Sequence, residues 1–114
     1  MTDCLFCKIV SGDVPAKIVR ESAGTVAFRD INPQAPTHVL VIPRAHHATV
    51  ADLADADPGL LAELLREARE VAVDDGVAEG GYRIVFNTGA QAGQTVFHVH
   101  AHVLGGRGLN WPPG

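Results

Sequence analysis

Phe97-His98-Val99-His100-Ala101-His102-Val103-Leu104 sets three histidines at alternate positions. In an extended strand the side chains alternate between faces. This period of two therefore sends His98, His100 and His102 to one side, and Phe97, Val99, Ala101 and Val103 to the other. The second face reads as core. Imidazole is a proton carrier near neutral pH, a nucleophile and a metal ligand, and three of them against a core are costly unless each finds a partner. The strand thus points to chemistry, either phosphoryl transfer by an imidazole nucleophile or a metal platform.

Working outward, Asn87-Thr88-Gly89-Ala90-Gln91-Ala92-Gly93-Gln94-Thr95 leads into that strand. Such a turn can offer backbone N–H groups, Gln94 and Thr95 to phosphate oxygens, and an exposed glycine-rich hairpin has the same makeup. There is no Walker loop with Lys-Ser or Lys-Thr, so neither an ATPase nor a magnesium requirement is indicated. Arg107, in Gly105-Gly106-Arg107-Gly108, reads equally as a helper at the strand exit and as a surface residue. Before the loop, Tyr82 to Asn87 is a strand entered from Gly80-Gly81. A helix starts at the capping pair Asp57-Pro58 and runs to about Asp75 before Gly76. Along it Leu61, Leu64, Leu65, Ala68, Val71 and Ala72 fall on one face, leaving Glu63, Arg66, Glu67 and Glu70 to water. Ser11 to Pro15 is a turn or loop. Lys17 to Glu21 and Thr25 to Arg29 form a candidate hairpin. Thr37 to Ile42, after a rigid loop containing Pro33 and Pro36, is a buried strand ended by Pro43. Strands, one long helix and more strands predict an α+β fold over residues 1–114 as a single domain. The expected form is a mostly antiparallel sheet with helices on one side, one of them long and the rest short segments.

The formal charge of −4, from 9 basic and 13 acidic residues, gives no broad cationic surface for long nucleic acid. No apolar run approaches about 20 residues, and the start Met1-Thr2-Asp3-Cys4 carries neither a basic segment nor a long apolar stretch, so a cytoplasmic protein away from membranes is expected. Cys4 and Cys7 form a Cys-x-x-Cys pair whose spacing alone suits zinc and redox exchange alike.

The chain resembles the histidine-triad (HIT) proteins over nearly its whole length. The resemblance rests on the triad together with Cys4-Leu5-Phe6-Cys7-Lys8-Ile9, Phe28-Arg29-Asp30-Ile31-Asn32-Pro33, Pro36-Thr37-His38-Val39-Leu40-Val41-Ile42-Pro43 and Gly93-Gln94-Thr95-Val96. The ending Val103-Leu104-Gly105-Gly106-Arg107 and Trp111-Pro112-Pro113-Gly114 is similar to the nucleoside phosphoramidase branch, usually called Hint. That resemblance implies a HIT-like fold and a homodimer whose sheets join. The implied activity hydrolyses the phosphorus–nitrogen bond of nucleoside 5′-phosphoramidates and releases a purine nucleoside monophosphate. By the same carry-over His100 is the nucleophile. His98 and His102 position the phosphate and aid proton transfer. His38 and Asn87, with Gly93, Gln94 and Thr95, complete the phosphate end. Asp30 takes the ribose hydroxyls, and Ile31 with neighbouring apolar residues sandwiches the base.

Some relatives hold structural zinc with positions equivalent to Cys4, Cys7, His46 and His98, a Cys2His2 set that the chemistry of zinc favours. A zinc-bound nitrogen of His98 could not also donate a proton. The third triad position separates branches: a nucleotidyltransferase relative would carry glutamine in place of His102, so hydrolysis is expected. Alternatives are a dinucleoside-polyphosphate hydrolase and a nucleotide-binding regulatory protein with little turnover. Trp111-Pro112-Pro113-Gly114 is apolar for a free tail and is expected to pack near a neighbouring subunit's site, where it would govern leaving-group selectivity.

Overall fold

In the computed structural model, which describes residues 3–114, the strands form one sheet in the order β1-β2-β3-β5-β4. Met1 and Thr2, which entered the reading of the chain start above, lie outside the described residues. The elements are α1 (Leu5–Ser11), β1 (Ile18–Glu21), β2 (Thr25–Arg29), β3 (Thr37–Pro43), α2 (Val50–Ala56), α3 (Pro58–Asp74), β4 (Tyr82–Val85) and β5 (Ala101–Gly105), with a 3-10 turn at Ala90–Ala92. Every pairing is antiparallel, which agrees with the α+β expectation. Among the described residues no helix is long and apolar enough to cross a membrane.

The long helix forms where its capping residues dictate. Asp57 accepts the Leu60 N–H, and Pro58 opens the helix, where its missing N–H costs nothing. Leu64, Ala68, Val71 and Ala72 are buried, whereas Leu65, expected on the core face, is 40% exposed. Burying a side chain the size of Leu64 contributes about 1.5–3 kcal/mol. Two acids read as water-facing instead bind the β1–β2 hairpin. Glu63 accepts from the Ser22 hydroxyl at 2.6 Å and the Gly24 N–H at 2.8 Å, bonds that hold its carboxyl below the usual range. Glu67 pairs with Arg20 at 2.8 Å. A Cβ on Gly24 would come within 2.8 Å of the Glu63 carboxylate and the end of Leu60, so a larger residue there would displace the tips of these side chains from the hairpin turn.

Alternation along the strands splits the apolar residues into two cores. Ala27, Val39, Val41, Val99, Ala101 and Val103 pack beneath α2 and α3 with Leu53 and Leu64. Val26, Phe28, Leu40 and Ile42 point the other way, against Phe6 and Ile9 of α1. Helices therefore cover both faces, not one. The first, α1, spans Leu5–Ser11, ahead of the Ser11–Pro15 turn, in a stretch whose pattern had been assigned no element. Cys4 caps it by accepting the Cys7 N–H, and Gly12, at φ 86°, ends it in the left-handed region.

The histidine segment departs from a continuous strand. Only Ala101–Gly105 is in the ladder, with His102 opposite Leu40 on one side and Val85 on the other. Upstream, the Val99 N–H donates to the His47 carbonyl at 2.8 Å, which pulls the chain toward the exit of β3. β4 accordingly ends at Val85 and not Asn87, because its partner begins only at Ala101. Phe97, expected in the core, is 49% exposed for the same reason. Pro43 ends β3 from within, paired with Thr25 at the strand terminus.

Candidate active site

The three rings keep to the α1 side of the sheet. Phe6 meets His98 and His100 edge-on at 5.9 and 5.1 Å between centroids, and the His100 and His102 rings are 5.0 Å apart. Their environments nonetheless differ, because backbone carbonyls decide which nitrogen of each ring is available.

His98 is fully buried. Its Nε2–H donates to the Pro43 carbonyl at 2.8 Å, so Nδ1 carries the lone pair. That nitrogen lies 3.3 Å from Cys4 Sγ and 3.6 Å from Cys7 Sγ, and His46 Nδ1 is 3.4 Å from Cys7 Sγ. The four donor atoms all lie within 4.8 Å of one another. A tetrahedral site with metal–sulfur bonds near 2.3 Å and metal–nitrogen bonds near 2.0 Å has donor–donor edges of about 3.3–3.8 Å. Cys4, Cys7, His46 and His98 thus fit a four-coordinate metal centre of two thiolates and two imidazoles. With both ring nitrogens engaged here, His98 serves the neighbouring site through its backbone rather than its ring.

His100 is arranged in the opposite sense. Its Nδ1–H donates to the His98 carbonyl at 2.8 Å, leaving the Nε2 lone pair available on a ring that lines a cavity of 410 Å³. The cavity has an apolar wall that includes Phe6, Ile9, Phe28 and Leu40, and a polar end with Asp30, Thr95, His100 and His102. Its size and mixed lining suit a small ligand. Ile31 is at the rim, fully exposed.

His38 and His102 form a directed pair. The Gln34 N–H donates to His38 Nδ1 at 3.0 Å, so the His38 proton resides on Nε2, 3.0 Å from His102 Nδ1 and 3.4 Å from Asp30 Oδ2. His102 Nδ1 accepts, and its own proton lies on Nε2. That atom is buried and has no hydrogen-bond partner among the described residues. Burial, reinforced by His100 and His38, pushes the His102 imidazole down to about 4. Burial also lowers His38, against the opposing pull of Asp30. Both rings are therefore neutral at pH 7, and His102 Nε2–H is a donor waiting for an acceptor.

The remaining sequence candidates divide. Gln94 is buried and fully used: its side-chain oxygen accepts the Gly89 N–H, and its two N–H groups go to the Ala48 and Val96 carbonyls. It braces the loop and has no donor left for a phosphate. Gly93, at φ 88°, closes the 3-10 turn, Asn87 is half-buried just beyond β4, and Trp111 is 82% exposed. The part of the apolar wall that Leu5, Phe6 and Ile9 supply was missed because α1 was missed. The signal was present in Leu5, Phe6, Ile9 and Val10, at helical spacing ahead of Gly12.

A family model described as the HIT domain matches residues 11–109. The crystal structure of a HIT family hydrolase from Legionella pneumophila Philadelphia 1 is similar at a TM-score of 0.94 and 53% identity, covering 98% of this chain and 100% of that one. A 14 kDa zinc-binding protein of Zea mays is 46% identical over 113 residues, 96% of this chain and 87% of the relative. The adenylylsulfatase HINT1 of Arabidopsis thaliana is 44% identical over 113 residues, 96% of this chain and 76% of the relative. With the triad, the matched span and this structural likeness in place, the chain belongs to the HIT-domain family.

Proposed function

We propose that the chain is a hydrolase that cleaves the P–N bond of nucleoside 5′-phosphoramidates and releases a purine nucleoside monophosphate through a nucleotidyl-His100 intermediate. The observation that carries this reading is the tautomer of His100: with Nδ1–H tied to the His98 carbonyl, the lone pair falls on Nε2, on a ring that lines the cavity. Attack forms an Nε2–P bond while the leaving nitrogen, protonated from solvent, departs with the P–N electron pair. The positive charge on the imidazole is spread toward the His98 carbonyl through Nδ1–H. Water then attacks phosphorus, the N–P pair returns to His100, and a proton goes to solvent. His102 Nε2–H donates to a non-bridging oxygen, and His38 holds His102 in that tautomer.

In this reading Asp30, an acceptor at the cavity wall, takes the ribose hydroxyls, and the Phe6–Phe28 side with Ile31 at the rim takes the base. Thr95 and the backbone around Gly93, with Asn87, complete the phosphate end. The metal centre is assigned to zinc, structural because four protein ligands leave no position for water. The name of the maize relative supports that assignment. A homodimer in which the exposed Trp111 reaches a partner's site completes the proposal. Light scattering at micromolar concentration tests it, and a monomer would remove it.

The adenylylsulfatase name of the Arabidopsis relative favours a second reading in which the same attack on an adenylyl phosphorus expels sulfate instead of an amine. Release of AMP from an adenosine phosphoramidate, adenylyl sulfate and a dinucleoside polyphosphate separates the readings. The highest kcat/KM is expected on the phosphoramidate, and a higher value on either other substrate overturns the assignment. Binding of AMP with no turnover of any of them would leave a nucleotide-binding protein.

A further inference from the structure

We infer that Arg107 is a positioning residue for the His38–His102 pair, acting through the backbone of Gln34, whose carbonyl it binds and whose N–H meets His38; its catalytic consequence rests on the reaction proposed above. Arg20, Arg29, Arg44 and Arg69 each pair with a carboxylate. Arg107 is spent on main-chain carbonyls instead: Nε donates to Gln34 O at 3.0 Å and a terminal nitrogen to Gly108 O at 2.8 Å. The turn that carries it leaves β5 directly after the histidine strand. Gly106 sits there at φ 90°, and a Cβ on it would come within 2.9 Å of Pro36. The exit of β5 is therefore laid against the loop that precedes β3.

That loop sets the tautomer of His38. Asp30 Oδ1 accepts the Asn32 N–H at 2.8 Å, the Gln34 side chain donates to Asn32 O at 3.0 Å, and the Gln34 N–H points at His38 Nδ1. The Arg107 bond to the Gln34 carbonyl fixes the residue whose N–H makes that contact. Once released, the Gln34 N–H can turn away and His38 can carry its proton on Nδ1. His38 Nε2 would then face His102 Nδ1 as lone pair against lone pair at 3.0 Å. His102 relieves this by moving its own proton to Nδ1, and the cavity loses its Nε2–H donor.

The test is 15N NMR of the imidazole side chains in the ligand-free wild type, R107A and R107K, with circular dichroism melts to verify folding. In the wild type both His38 and His102 should carry the proton on Nε2. R107A should convert most of both rings to Nδ1–H or to an exchanging mixture, while R107K, whose ammonium still reaches a carbonyl, should stay close to wild type. On an adenosine phosphoramidate R107A should lose about ten-fold in kcat with little change in KM, the signature of misplacement rather than lost binding. Unchanged tautomers in folded R107A overturn the inference whatever the rate. A wild type inactive on phosphoramidates defeats the functional reading alone, and the spectra still decide the role of Arg107.

Discussion

Two groups of side chains flank His100, and each would pass for a metal site on residue type: Cys4, Cys7, His46 and His98 on one side, Asp30, His38 and His102 on the other. In the first, the backbone takes the proton of His98 Nε2 and turns a lone pair toward two thiols. In the second, the nitrogens already bond one another, with the Gln34 N–H at one end of the chain of donors and an unsatisfied N–H at the other. The same residue type thus presents a lone pair to a would-be metal position in one place and a hydrogen-bond donor in the other. A main-chain group a few ångströms away makes the choice. His100 lies at the junction, since the carbonyl that fixes its tautomer belongs to His98, a member of the first group.

The comparison breaks most visibly at His100. His100→Ala should reduce turnover by on the order of 10³-fold or more, while calorimetry finds AMP affinity within about three-fold of wild type. Retained turnover would mean that the nucleophile is another group.

A smaller effect separates the two clusters. Cys4→Ser with Cys7→Ser should abolish zinc in elemental analysis, lower Tm by roughly 5–10 °C and reduce kcat by about ten-fold. Loss of rate as deep as for His100→Ala with an unchanged Tm would make the metal centre catalytic and erase the difference between the two clusters.

The gentlest test sharpens the second cluster. His102 is held down to about 4 and His38 is lowered by burial, whereas both titrate near 6.5 in the unfolded chain. Between those limits the unfolded state binds more protons, so stability is full above about pH 6.5 and falls as the solution is acidified toward 4. Each such proton adds up to about 1.4 kcal/mol per pH unit to the slope. Denaturant unfolding at pH 7, 6 and 5 should show the fall, and His102→Asn should remove one proton's share of it. An identical slope in the variant would show that His102 is not buried as a neutral ring.

The alternation of His98, His100 and His102 and the Asp57-Pro58 cap were readable without coordinates, because period two and helix capping are local rules that depend on neighbours in sequence. The extents of β4 and β5 were not. They follow from where the His47 carbonyl captures the Val99 N–H, a contact between residues 52 positions apart. α1 carried a local signal, yet its importance came from Phe28 and Leu40 on distant strands, which turn its apolar side into a cavity wall. Gln94 looked like a phosphate ligand until the Ala48 carbonyl claimed one of its donors.

By itself, then, the sequence determined the antiparallel α+β class, the run of alternating histidines and the Cys-x-x-Cys pair, since these follow from periodicity, capping and residue chemistry. Only the tertiary structure decided which nitrogen of each histidine faces thiol, cavity or neighbour. A tautomer is set by the hydrogen bond made at the other ring nitrogen. For His98, His38 and His102 that bond or its partner comes from β3 or the loop before it, brought alongside by the fold.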